Sequence, residues 1–216
     1  MDTFMTPSNM PMKKATPSFA EPHLQVRNIA LTLFAEQGYQ SVSLRKLASA
    51  LGIQAGSLYN HIASKQDLLF ELIDEHETDL LDAIEASVRS NMKPAEQLLA
   101  YIRTHIDFNV KHAHRRSITQ LEFRNLSPEQ QGETLAIRNM QADILSNIIQ
   151  QGIQQNAFNP IRFKASETLL LAMLNEAAFL VSTDGNTVLD DIIVSLQTII
   201  TSLLVRTPTS RRLAAQ

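Results

Sequence analysis

From Leu24 onward, apolar side chains return every three or four positions, the period of an amphipathic α-helix, and the whole chain reads as helical. Leu24, Ile29, Leu33 and Phe34 form the expected buried stripe of a first helix, which starts near Pro22 and stops at Gly38. Ser43 is a good N-cap for a two-turn helix carrying Leu44, Leu47, Ala48 and Leu51. Gly52 ends that helix, because its missing Cβ admits a left-handed turn. Ile53, Leu58 and Ile62 restart the pattern on a second short helix, which crosses the first where Ala48 is small enough to allow close approach. Ser64, with Asp67 three residues later, opens a long helix expected to run to about Asn91, with Leu68 to Val88 supplying its apolar face.

Lys93-Pro94 marks a break, and a further helix follows from Ala95 to Lys111. His112, His114, Arg115 and Arg116 read as a polar, basic joint. Ser127-Pro128 starts another helix, expected to end at Gly152. After Asn159-Pro160 come two helices, about 165–182 and 188–205, that are apolar around more than one face. Such helices must be buried on two sides, and in a body this small a partner subunit is the simplest second cover.

Composition narrows the class. With 216 residues, 44 % of them hydrophobic, the chain is long enough to bury a substantial core without staples. There is no cysteine, which excludes disulfides, thiolate catalysis and cysteine-based metal centres and suits a reducing, cytoplasmic compartment. The N-terminal stretch does not read as a secretory leader. The most apolar late stretch, Ile192 to Val205, is interrupted by Ser195, Gln197, Thr198, Thr201 and Ser202 and falls short of the roughly 20 residues of a membrane span, so no membrane partner is expected. Net charge is −3, unevenly placed: residues 1–65 hold six basic and three acidic side chains, and the remainder 13 and 19. A basic head on an acidic body suits phosphate binding by the head.

The residues that the two short helices leave outside are small, polar or aromatic, without a carboxylate. A single helix fits the roughly 12 Å wide major groove; there Gln54 and Asn60 offer paired amide contacts, Ser57 a hydroxyl, Ala55 a methyl for thymine, and Gly56 room for close approach. Lys65, in the first turn of the long helix, suits a phosphate.

The pattern L-R-K-L-A-x-x-L-G-I-x-x-G-S-L-Y-x-H-I-x-S-K-x-D-L (Leu44 to Leu68), preceded by I-A-L-T-L-F-A-E-Q-G-Y (Ile29 to Tyr39), resembles the DNA-binding domain of the tetracycline-repressor family of bacterial transcriptional regulators. Ile62 departs from it, standing where an aromatic residue is frequent. The resemblance implies an all-α fold: a three-helix helix-turn-helix domain over residues 22–67 and a larger helical ligand-binding and dimerisation domain over 68–206, between disordered tails, 1–21 and 207–216. It implies that Ser43 and Arg45 meet phosphate or base, that Gln54, Ala55, Gly56 and Ser57 approach base edges, that Tyr59, Asn60 and His61 hold base or backbone, and that Lys65 holds a phosphate. Ala55 and Gly56 are equally explained by close packing, His61 by a bracing role and Tyr39 by the core. Lys13-Lys14 either enters a minor groove or lies in an inert tail.

The implied partners are double-stranded DNA carrying an inverted repeat, a second copy of the chain through the last two helices, and a small-molecule effector whose binding releases the DNA. The segment Leu121 to Glu129, L-E-F-R-N-L-S-P-E, looks like one in members that sense acyl-coenzyme A thioesters. With it, His105, Phe108, His112, Phe123 and Met140 are candidates to line an apolar effector slot, the competing reading being an ordinary helix joint. No cofactor is called for. His112 and His114 lack the convergent spacing of a metal site, and no phosphate loop or nucleophile motif occurs, so an enzyme is not expected. The alternative to a repressor is a helical ligand-binding or structural dimer that does not read DNA.

Overall fold

The computed structural model describes residues 20–159, 163–183 and 189–204; the expectations for both tails lie outside them, except that Ala20 and Glu21 begin a helix instead of ending the tail. Nine α-helices and one 3-10 turn make up these residues: α1 (Ala20–Gln37), α2 (Leu44–Leu51), α3 (Ala55–Leu58), α4 (Lys65–Ser87), α5 (Pro94–Lys111), α6 (Ala113–Leu121), the 3-10 turn Phe123–Asn125, α7 (Pro128–Gln154), α8 (Phe163–Thr183) and α9 (Leu189–Leu204).

Local signals set the head. The Ser43 hydroxyl accepts the Lys46 N–H at 3.2 Å and starts α2; Gly52, at φ +70°, ends it, after which the Ile53 N–H returns to the Ala48 carbonyl at 3.0 Å. α3 is a single turn, prolonged by hydrogen bonds from Asn60, His61 and Ile62 back to Ser57 and Leu58. Ser64 caps α4 by accepting the Asp67 N–H at 3.0 Å. Val26, Ala30 and Phe34 of α1 pack with Val42, Leu47, Leu58 and Ile62. Leu24, expected in that stripe, is 54 % exposed instead; the buried face of α1 runs through Val26, Ala30 and Phe34.

α4, about 35 Å long by helix rise, passes through three layers. Leu68, Leu69, Leu72 and Ile73 belong to the head core, which also takes in Ile118 and Leu126 from the body. Leu80 and Ile84 belong to a second core with Tyr101, Ile102, Ile106, Leu145, Ile149 and residues of α8 and α9. Between the two cores lie His76 and Glu77, both fully buried and both polar.

Three boundaries differ from the sequence reading. α4 stops at Ser87 rather than near Asn91. The supposed joint after His112 is a helix, α6, in which Arg116, Ile118 and Thr119 turn inward while His114 and Gln120 stay exposed. Gly152 does not end α7, which continues to Gln154. A Cβ there would lie 2.0 Å from the Phe158 ring, so glycine is present to let Phe158 lie across the helix.

Candidate nucleic-acid interface and effector cavity

From Leu44 to Gln66 there is no acidic residue, and the outer face of α2 and α3 has no carboxylate to repel phosphate. Ser43, Arg45, Gln54, Gly56, Ser57, Tyr59 and Asn60 are exposed, Tyr59 to 60 %. Ala55, His61 and Lys65 are half-buried. Gln54 stands at the N-cap of α3 without a side-chain cap bond. Among the described residues the side chains of Arg45, Ser57, Tyr59 and Asn60 make no hydrogen bond or ion pair either. A Cβ on Gly56 would meet nothing within 4 Å, so packing inside this chain gives no reason for a glycine there.

Lys65 and Tyr39 behave differently from the rest of that face. The Lys65 ammonium donates to the Tyr39 carbonyl at 2.5 Å and lies 3.9 Å from the Tyr39 ring centroid. One of its three donors is therefore spent inside the head. Burial lowers the Lys65 pKa, opposed by Glu122, and burial together with Glu122 and Asp67 raises that of Tyr39. Tyr39 is a core aromatic, edge-on to Phe34 at 5.3 Å.

The stretch from Leu121 to Glu129 fastens head to body. Glu122 accepts the Tyr39 N–H at 3.0 Å and the Asn125 amide at 2.7 Å. Asn125 accepts from Gln40 on its side-chain oxygen at 2.6 Å and from Gln66 on its carbonyl at 2.8 Å. Gln130, at N3 of α7 in a capping box with Ser127, donates to Asp67 at 3.0 Å. Every one of these bonds to the head ends within the turn after α1 or the first turn of α4.

Behind this latch, in the polar layer between the two cores, is a cavity of about 250 Å³. His76 and Glu77 of α4, His105 and Asn109 of α5, Arg116 and Thr119 of α6, and Arg138 and Gln141 of α7 contribute to its wall. Glu77 is matched: Arg138 donates to it at 2.6 Å and Gln141 at 3.0 Å. Asn109 links the two histidines, accepting from His76 Nε2 at 3.2 Å and donating to the His105 carbonyl at 2.8 Å. Desolvation lowers the pKa of His76 to about 3, helped by the charge of Arg115, and that of His105 to about 4; both rings are neutral.

Of the five residues expected to line an apolar slot, only His105 reaches this cavity. Phe108 lies tilted between the rings of His76 and His112, with centroids 5.4 and 4.4 Å away. His112 caps α6, Phe123 lies 4.6 Å below the Arg138 guanidinium, and Met140 is 51 % exposed. The cavity wall is mixed rather than purely apolar: the inward positions of α4 to α7 at this level bring histidine, glutamate, arginine and amide groups to it, and Leu80 and Leu171 supply apolar surface. Thr119, Arg138 and Gln141 were not singled out from sequence, and Arg116 was read only as part of a basic joint; polar residues at inward helical positions within apolar stripes were the available signal.

A short helix with unspent donors in a helix-turn-helix head, carried on a helical body that holds a cavity of mixed polarity, defines a helix-turn-helix regulator with a ligand-binding domain. Residues 28–72 match the model for bacterial regulatory proteins of the tetR family, and residues 91–204, just over half of the chain, match that of the tetracyclin repressor-like C-terminal domain. The protein therefore belongs to the tetR family, whose members are DNA-binding transcription regulators and not enzymes. The fatty acid metabolism regulator protein of Bacillus subtilis is 26 % identical over 143 residues, covering 66 % of this chain and 72 % of that one. The transcriptional repressor KstR2 of Mycobacterium tuberculosis is 28 % identical over 137 residues, 63 % of this chain and 68 % of the other. The crystal structure of AibR in complex with isovaleryl coenzyme A and operator DNA shares the fold, with a TM-score of 0.72 at 21 % identity over 84 % of this chain and 97 % of AibR. Among the described residues no helix is long and apolar enough to cross a membrane, and no group of side chains fits a metal ion.

Proposed function

We propose that the protein is a homodimeric repressor that reads an inverted-repeat operator and is released from it by a small acyl-type effector held in the body. The observation that carries the DNA-reading part is Gly56 in its setting. An exposed glycine that no internal contact requires, flanked by Gln54, Ser57 and Asn60 with free polar ends, suits a helix whose backbone lies against base edges. Arg45, Tyr59, His61 and the two remaining donors of Lys65 are placed around it to hold backbone or base, with Ser43 and Ala55 at the margin of the contact.

Dimerisation through α8 and α9 is supported by Leu169, Phe179, Leu180 and Val194, which are 43–62 % exposed in the single chain. Two-fold pairing of heads matches an inverted repeat and supplies affinity that one modest basic patch lacks. The acyl character of the effector is supported by the relatives, since AibR carries isovaleryl coenzyme A and the Bacillus subtilis protein regulates fatty acid metabolism. Release follows from the layering of α4: an occupant between the cores bears on His76 and Glu77, while the latch ties the start of the same helix to Tyr39 and the motif.

The test is capture of genomic fragments by the purified protein, repeated with Tyr59→Ala and Asn60→Ala. Enrichment of one inverted repeat by the native protein, lost in both variants, is the expected result. Sequence-blind recovery by all three proteins would refute DNA reading and favour a helical ligand-binding dimer.

A further inference from the structure

The charges around the cavity do not balance. Glu77 and Arg138 cancel, and both histidines are neutral, which leaves Arg116. Arg116 is 7 % exposed, yet no carboxylate lies within 4 Å of its guanidinium among the described residues. Of its five N–H donors, Nη1 is bonded to the neutral Gln120 oxygen at 3.1 Å, and Nε is buried without a partner. Glu176, the one anion whose field it feels, is exposed, and desolvation prevails over it. The centroid of the Phe179 ring lies 5.4 Å from the guanidinium carbon but the ring carries no charge, and an arginine that is buried, charged and without a counter-ion is expensive unless something else neutralises it.

Two further cavity residues have unmet polar atoms. The Thr119 hydroxyl has no partner. His76 donates through Nε2 to Asn109, so its Nδ1 is a bare acceptor, also buried and also without a partner. The cavity wall thus combines one cation, one hydroxyl and one acceptor. At about 250 Å³ the space is below the roughly 300–1,000 Å³ of sites that enclose drug-sized ligands.

We infer that this cavity is a site for a compact hydroxycarboxylic acid, its carboxylate on Arg116 and Thr119 and its hydroxyl donating to His76. A carboxylate matches the planar fork of a guanidinium and brings the missing negative charge. This inference rests on reading the body as the effector domain and narrows the acyl-type effector to the free acid. The occupant touches α4, α5, α6 and α7 together, which places it where it biases the polar layer directly.

The test is thermal unfolding of the full-length protein with lactate, 3-hydroxybutyrate and mevalonate, with their methyl esters, and with isovaleryl coenzyme A. Native protein is compared with Arg116→Met and Arg116→Lys, and binding of the captured operator is measured by fluorescence anisotropy on the same samples. At least one acid is expected to raise the melting temperature saturably, with its ester about ten- to a hundredfold weaker, the loss that follows from removing charge-assisted hydrogen bonds. Arg116→Met is expected to melt no lower than native protein without ligand and to lose the response, and Arg116→Lys to keep a weakened one. Acid and ester acting alike, a response to isovaleryl coenzyme A alone, or an undiminished response in Arg116→Met overturns the inference. Those results with sequence-specific operator binding intact leave the repressor reading standing, whereas sequence-blind binding of DNA refutes that reading whatever the acids do.

Discussion

Replacing Gly56 by alanine separates folding from DNA reading. The backbone of Gly56 is outside the left-handed region, and a methyl group there meets nothing within 4 Å. Alanine is favoured over glycine in a helix by about 0.5–1 kcal/mol. Since about 1 kcal/mol corresponds to roughly 2–4 °C in a chain of this size, Gly56→Ala should melt about 1–4 °C higher than native protein. If α3 lies in the groove, the same methyl separates backbone from base edge. Loss of one direct hydrogen bond per head costs about 1–1.5 kcal/mol, and two heads make that about 2–3 kcal/mol, or roughly a 30- to 150-fold weaker operator complex. Differential scanning calorimetry gives the first quantity and anisotropy titration of the operator at fixed salt the second. A variant that is more stable and binds DNA as tightly as native protein would show that α3 does not approach bases at Gly56, and the groove geometry proposed for the head would fall.

Glu122→Ala removes an acceptor for two hydrogen bonds, including the one to Tyr39, and should cost about 1.5–3 kcal/mol in a urea titration, with Glu122→Gln costing less. Gly152→Ala drives a Cβ into the Phe158 ring and should destabilise the body by several kcal/mol; melting within a degree of native protein would contradict the packing of that turn. Because His76 and His105 have pKa values depressed in the folded state, to about 3 and about 4, stability is fully present above pH 6.5 and declines as pH falls from there toward those values. At pH 5 the loss is roughly 2 kcal/mol per histidine, so urea midpoints should drop between pH 7.5 and 5, and His105→Gln should flatten that slope. Val194→Glu, on the exposed face of α9, should convert the dimer to monomer in sedimentation and weaken operator binding at least tenfold.

The head was legible because its determinants are local. Ser43 and Lys46, Gly52 and Ala48, and Ser64 and Asp67 interact across three or four positions, so cap, turn and helix can be read from neighbouring letters. Exposure of Arg45, Tyr59 and Asn60 followed from the same short period. Leu24 was misplaced because a stripe read from the largest apolar side chains, Leu24, Ile29, Leu33 and Phe34, overlooks Val26 and Ala30, smaller residues whose burial shows only once α1 has a neighbour.

What the tertiary structure alone decided is the pairing of polar groups over long separations. Glu122 meets Tyr39 across 83 positions and Gln141 meets Glu77 across 64, and no local pattern marks either pair. From sequence the segment Leu121 to Glu129 was open to two readings, part of an effector slot or an ordinary helix joint, and the bonds that make it a latch between head and body appear only in the fold. An uncompensated Arg116 is likewise invisible in a chain whose total charge is only −3, because burial, not sequence, determines whether a charge has water for a partner. Helical period and caps are interactions of near neighbours, and so they belong to the sequence; the desolvation of a charge depends on every element packed around it, and so it belongs to the fold.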